Sequence, residues 1–185
     1  MFSNIFSNIF NSNKIAKMFL SPKKYAKKIG VRFGKNCTIS TKNFSAEPFL
    51  ITIGDNVRIL KGVSFYTHGG MWIFRKEYPN LDYFGKINIG NNCFIGDDAK
   101  LMPGITIEDN CIIGAGAVVT KSVPKGSIVA GNPAVYLGQS KDFIEKAKQY
   151  KCETKKLKKK DKITKLLSLS ENHFVVKEFL KTEKT

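Results

Sequence analysis

The chain has 185 residues, with 31 Lys and Arg against 15 Asp and Glu and a formal charge of +16. That length supports one domain with a sizeable core and a small appendage, and 42% hydrophobic with 25% charged residues is the composition of an ordinary globular chain. No apolar run approaches the roughly 20 residues of a membrane-spanning helix, and Cys37, Cys93, Cys111 and Cys152, far apart, without a CxxC pair or neighbouring histidines, suggest neither a zinc site nor a disulfide scaffold.

In chain order, MFSNIFSNIFNSNK opens without the basic start and small-residue cleavage site of a signal peptide. Residues 1–19 read as an amphipathic segment that packs on the first repeat or on a neighbouring copy, with membrane contact as the alternative. A cytoplasmic location is expected, with the inner face of the membrane as the alternative. Ser21-Pro22-Lys23 has N-cap and N1 character, and the KYAKKIG that follows predicts a short helix ending at Gly30. Residues 1–30 are therefore assigned to an N-terminal helical segment.

A repeat occupies the middle. From residue 89 an aliphatic side chain returns every six positions, at Ile89, Ile95, Leu101, Ile107, Ile113 and Val119. Four residues after each stands a small or β-branched one: Cys93, Ala99, Ile105, Cys111, Ala117 and Val123. The same frame appears earlier as FGKNCT, IGDNVR, ILKGVS and FYTHGG. A period of six suits neither a 3.6-residue helix nor a two-residue strand alternation. It suits a short strand and a tight turn, three to each coil of a triangular prism. Ile89 should then lie over Ile107, Ile95 over Ile113 and Leu101 over Val119. Gly, Asn and Asp supply positive-φ corners, and stacking of coils supplies the stability. The cysteines at 37, 93 and 111 share one repeat position and read as small apolar core residues.

Two stretches break the frame. Residues 40–52 carry an insertion, and 69–85, GGMWIFRKEYPNLDYFG, hold no inward repeat. The second is rich in aromatics and is expected to pack against something. Phe65 and Ile89 remain a multiple of six apart, so the prism can continue beneath it. The β-helix is assigned to 31–138 with the inserted loop 69–85, and 139–185 to a basic, helical C-terminal tail. The fold class is all-β: a left-handed parallel β-helix of hexapeptide repeats with short N- and C-terminal helices.

The segments EPFLITIGDNVRILKGVSFYTHGGMWIFR and KINIGNNCFIGDDAKLMPGITIEDNCIIGAGAVVTKSVPKGSIVAGNPA resemble the hexapeptide-repeat acyltransferases, in the polysaccharide-linked O-acetyltransferase branch. The resemblance spans about residues 23–138. It implies acetyl-CoA as co-substrate with no metal required, a homotrimer, and a sugar hydroxyl or amine as acceptor, in surface polysaccharide or lipopolysaccharide synthesis. Two departures stand out: relatives commonly read His-Asp-Gly-Gly where this chain has His68-Gly69-Gly70, and Val135 replaces a usual basic residue after Asn132-Pro133-Ala134.

Acetyl transfer needs a base for the acceptor proton and donors for the developing oxyanion. His68, at the corner before the long loop, is the candidate base; His173 lies in the lysine-rich tail and is a poor one. By analogy the oxyanion donor lies near Asp97, and Glu47 could orient His68 or bind acceptor hydroxyls. The resemblance implies that CoA lies in a groove between two prisms, along Gly114, Ala115, Gly116 and Ala117 and toward Gly131, Asn132 and Pro133. Lys121 and Lys125 would meet its phosphates and Pro124 its adenine, while Trp72 and Arg75 would shape the acceptor site.

Other functions are disfavoured. A zinc enzyme of the carbonic-anhydrase type needs three histidines, and only His68 lies in the repeats. Nucleic acid is not expected, because the aromatic–basic interleaving of a stacking platform is missing from the repeats. The alternatives kept are an acetyltransferase for another small hydroxylated molecule, or a non-catalytic repeat protein whose tail contacts a polyanion or, peripherally, a membrane.

Overall fold

The computed structural model describes residues 13–179, in two compact units, Met1–Ser140 and Lys141–Thr185. In the first unit the chain visits three flat faces in turn. The first holds β1 (Arg32–Phe33), β3 (Ile51–Ile53), β6 (Ile87–Ile89) and β9 (Thr106–Ile107). The second holds β2 (Thr38–Ile39), β4 (Arg58–Ile59), β7 (Phe94–Ile95), β10 (Ile112–Ile113) and β12 (Ser127–Ala130), and the third β5 (Ser64–Phe65), β8 (Lys100–Leu101) and β11 (Val118–Val119). All these strands pair in parallel. Ile89 lies on Ile107, Ile95 on Ile113 and Leu101 on Val119, as the period predicts.

The aliphatic side chains form three inward columns, one per face. Ile59, Ile95, Ile113 and Leu101 are fully buried, and Phe65 and Val119 nearly so. Each such side chain contributes about 1.5–3 kcal/mol of transfer free energy. At the edge between the first and second faces, Asn36, Asn56, Asn92 and Asn110 all take positive φ. They stack as a ladder, Asn56 Nδ2 donating to Asn92 Oδ1 at 2.7 Å and Asn92 Nδ2 to Asn110 Oδ1 at 3.3 Å. A short amide tolerates the left-handed backbone and satisfies its neighbour's polar atoms. Cys37, Cys93 and Cys111 are buried at this edge, each thiol donating to a backbone carbonyl, so they serve the core as expected.

The register also dates the interruptions. Thr52 pairs with Arg32, twenty residues away, so the first coil carries two extra residues. Thr52 also pairs with Asn88, thirty-six away, so one whole coil's length of chain has been expelled between them. The prism does continue beneath the loop. The last coil is short: Val123 pairs with Ile107. It thus takes the place on the face of the aliphatic that opens a repeat, two positions early, and not the place four residues later that the six-residue frame gave it.

The ends depart from an all-β description. Helix α1 (Pro22–Lys28) buries Ala26 against the first coil, and Lys23 Nζ donates to the Cys37 carbonyl at 2.8 Å, so the helix covers that end of the core. Residues 13–19 are helical, while 1–12, where part of the amphipathic segment falls, lie outside the described residues. At the other end β13 (Val135–Gln139) pairs antiparallel with β12, so the last stretch of the 31–138 span is a hairpin strand, not a coil. Helices α2 (Ser140–Lys148) and α3 (Lys159–Leu167) follow. The molecule is a parallel β-helix of hexapeptide repeats with helices at both ends.

Candidate active site

Both interruptions of the repeat open at the same edge, between the third and first faces. In the first coil Asn43 bridges to Ser64 and the Phe44 ring stacks on Phe65, centroids 5.1 Å apart. The extra residues then bulge outward and carry Glu47 to a position before the turn Pro48–Leu50. In the second coil the 18-residue loop departs just after Thr67. His68 is its first residue and pairs across its base with Phe84. Gly85 brings the chain back, where an added Cβ would collide with the Gly104 amide. Two insertions, one per coil, thus place a carboxylate against a histidine.

His68 Nδ1 lies 2.9 Å from Glu47 Oε2. The same oxygen accepts from the Thr67 hydroxyl at 2.5 Å, and Ser45 Oγ receives the Thr67 amide at 3.2 Å. Burial pushes the Glu47 carboxyl up, but the hydrogen bonds from Thr67 and His68 and the charge of His68 outweigh it, and the group is held below the ordinary glutamate value. An ionised Glu47 accepts, so Nδ1 carries the proton and Nε2 the lone pair. The Phe84 ring stands edge-on to the imidazole, centroids 6.3 Å apart. The pair opens on a hollow of about 330 Å³ lined by Glu47, His68, Trp72, Arg75, Asp82 and Tyr83.

Trp72 and Arg75 therefore share a hollow with His68, but Arg75 is committed. Its guanidinium donates to the Pro79 carbonyl at 2.9 Å, the Leu81 carbonyl at 3.1 Å and Asp82 Oδ1 at 2.9 Å. These bonds hold the loop from within, and its apolar side chains point outward: Trp72 is 82% exposed. The expectation that the aromatics pack against something is met by Phe84, edge-on to His68, and by Tyr83 beside Gly69, but not by Trp72. Sequence reasoning misses Thr67, Ser45 and Asp82 and takes Phe84 only as one of the loop's aromatics; the adjacency of Thr67 to His68 is the signal that could have found the first.

The remaining candidates fall on all three edges of the prism. Gly114, Ala115, Gly116 and Ala117 lie at the edge between the second and third faces, as do Gly131, Asn132 and Pro133, joined there by Val118 N donating to Gly131 O at 2.9 Å. Ala117 is fully buried, so its side chain belongs to the core and not to a ligand site. Asp97 belongs to this edge too. Its carboxylate accepts the Lys61 amide at 3.0 Å and its carbonyl the Gly116 amide at 2.8 Å. Asp97 is thus a rung of a corner ladder on a different edge from His68. Lys121 lies on the His68 edge. Pro124 and Lys125 sit on the remaining edge, where the Lys125 amide donates to Glu108 Oε2 at 2.7 Å. A three-sided prism separates residues that the linear order had grouped.

Nothing lies within 4 Å of a Cβ added at Gly116. The edge is therefore open at Gly116, whereas a Cβ added at Gly114 would collide with the Ala130 side chain. Among the described residues no group of three His, Cys, Asp or Glu is arranged to hold a metal ion.

The structure is thus a stack of six-residue repeats with a carboxylate-held histidine at one edge. The bacterial transferase hexapeptide model (six repeats) matches residues 86–121. Protein CapG of Staphylococcus aureus is 43% identical over 166 residues, 87% of this chain and 96% of CapG. Galactoside O-acetyltransferase of Escherichia coli K12 is 33% identical over 112 residues, 60% of this chain but 55% of that relative's length. The solved structure of a galactoside acetyltransferase in complex with coenzyme A shares the fold, with a TM-score of 0.55 at 23% identity over 73% of this chain and 80% of that one. The chain belongs to the hexapeptide-repeat acetyltransferases.

Proposed function

We propose that this protein transfers the acetyl group of acetyl-CoA to a hydroxyl of a sugar in surface polysaccharide synthesis, with His68 as general base. The observation that carries the reading is the 2.9 Å contact between His68 Nδ1 and Glu47. It leaves Nε2, which makes no hydrogen bond among the described residues, as the basic nitrogen facing the hollow. His68 Nε2 takes the acceptor proton as the acceptor oxygen bonds the acetyl carbon. Glu47 stabilises the imidazolium, and Nε2 returns the proton to the thiolate as the carbon–sulfur bond breaks. Glu47 also answers the missing carboxylate of the His68-Gly69-Gly70 segment: it comes from the coil below instead of the next residue. The thioester is already activated, so no nucleophilic Ser or Cys is needed.

In this reading the prism winds left-handed and the protein is a homotrimer. The separation of His68 from the Gly114–Ala117 and Gly131–Pro133 edge supports that assembly, because a neighbour's edge would bring the two together. A backbone amide of that edge, beside Asp97, would donate to the developing oxyanion, and Lys121, on the His68 edge, is the better placed of the two lysines to meet phosphate. The acceptor named for the galactoside enzyme supports a glycan acceptor. Mass spectrometry of nucleotide sugars and glycans incubated with acetyl-CoA tests the reaction. An added acetyl group is expected on a sugar, and acetylation of non-sugar acceptors alone would overturn the reading. Light scattering tests the assembly: a fully active species of 20.7 kDa would refute the trimer.

A further inference from the structure

The second unit bears charge and apolar surface that acetyl transfer does not use. Lys151 pairs with Glu153 and Lys165 Nζ donates to the Glu153 carbonyl. Among the described residues, Lys155, Lys156, Lys158, Lys159, Lys160 and Lys162 make no ion pair. Four of the unit's lysines, at 151, 155, 156 and 162, line a hollow of about 710 Å³ together with Cys152, Glu153 and Thr154, so the lysines outnumber the one carboxylate there. Helix α3 repeats its apolar residues at Ile163, Leu166 and Leu167, a spacing that puts them on one face. The segment after it exposes Val176 at 81% and Phe179 at 98%.

We propose that this unit docks on a bilayer surface that contains anionic phospholipid, its lysines meeting lipid phosphates while Leu167, Val176 and Phe179 enter the headgroup region. Charge complementarity selects the occupant's sign and the apolar residues select its kind. A nucleic acid or acidic glycan would satisfy the lysines but leave Leu167, Val176 and Phe179 in water, whereas a membrane interface takes both. A basic helix with a narrow apolar stripe lies on a membrane, since α3 spans only Lys159–Leu167 and no described helix is long and apolar enough to cross one.

The test is co-sedimentation of the full-length protein with phosphatidylglycerol-containing vesicles and with pure phosphatidylcholine vesicles, across a salt series. Binding to the anionic vesicles alone, weakening with salt, is expected. Each lysine near such a surface is worth about fivefold in binding, so Lys156→Glu/Lys159→Glu/Lys160→Glu should weaken it by at least about a hundredfold. Val176→Ser/Phe179→Ser, which removes the apolar surface without adding charge, should also weaken it while leaving binding to heparin unchanged. All these side chains are exposed, and circular dichroism together with thiol release from acetyl-CoA verifies that the variants fold. Failure to bind anionic vesicles, equal binding to neutral ones, or a Val176→Ser/Phe179→Ser variant that binds vesicles like wild type would overturn the proposal. The last result would assign the lysines to a polyanion.

Discussion

Glu47→Gln separates a carboxylate that works through His68 from one that merely sits beside it. The change keeps the volume and an oxygen for the Thr67 hydroxyl, and removes the charge. Two unit charges about 4 Å apart attract by about 4 kcal/mol at an effective dielectric near 20. The His68 side chain is 50% exposed and that of Glu47 20%, so solvent screening reduces the value to about 1–2 kcal/mol. That attraction acts on the imidazolium formed as the acceptor proton is taken. Its loss should lower kcat about 5- to 30-fold. His68→Ala should lower kcat by about 10²–10⁴-fold, with acetyl-CoA affinity by calorimetry unchanged in both. Glu47 has nothing to stabilise once the ring is gone, so the double variant should be no slower than His68→Ala. The assay is thiol release with a saturating acceptor. A wild-type rate for Glu47→Gln, or penalties that multiply in the double variant, would refute the argument.

The same carboxylate sets a pH dependence of stability. Its folded pKa lies below the ordinary value, so its contribution is complete above the unfolded value of about 4.3 and is lost as pH falls through the folded one. The Tm difference between wild type and Glu47→Gln should therefore shrink on acidification below about pH 4, and a difference that widens there would contradict the assignment. Arg75→Ala removes three bonds inside the loop; the acceptor KM should rise and limited proteolysis of the loop should quicken, while the acetyl-CoA KM stays the same. An unchanged acceptor KM would mean that the loop does not shape the acceptor site. Ile95→Ala empties a fully buried position between Ile59 and Ile113 and should cost about 2–5 kcal/mol in urea denaturation. A loss below about 1 kcal/mol would show that the column collapses around the gap.

The fold was legible because its determinant is local and periodic. Every coil needs the same inward aliphatic and the same turn residue, so Ile89, Ile95 and Leu101 announce their partners by spacing alone, and Asn92 and Asn110 announce the corner. Even the expelled loop was visible as a gap that kept the frame. The fine register of the last coil was not, because a shortened corner moves Val123 onto a face without altering its apolar character.

The site was half legible. His68 could be picked out as the one histidine within the repeats. That Glu47 touches it could not be read with certainty, since the contact joins residues 21 apart and depends on two insertions of different length opening at one edge. Nor could order along the chain say that Asp97 and Gly114 share an edge that His68 does not, or that Arg75 is occupied by its own loop. The sequence by itself determined the repeat, the core and the family of chemistry, because those rest on nearest-neighbour stacking. Only the tertiary structure decided which side chains meet, because winding three faces per coil brings residues of separate coils into contact at the edges and sends neighbours in the chain to different ones.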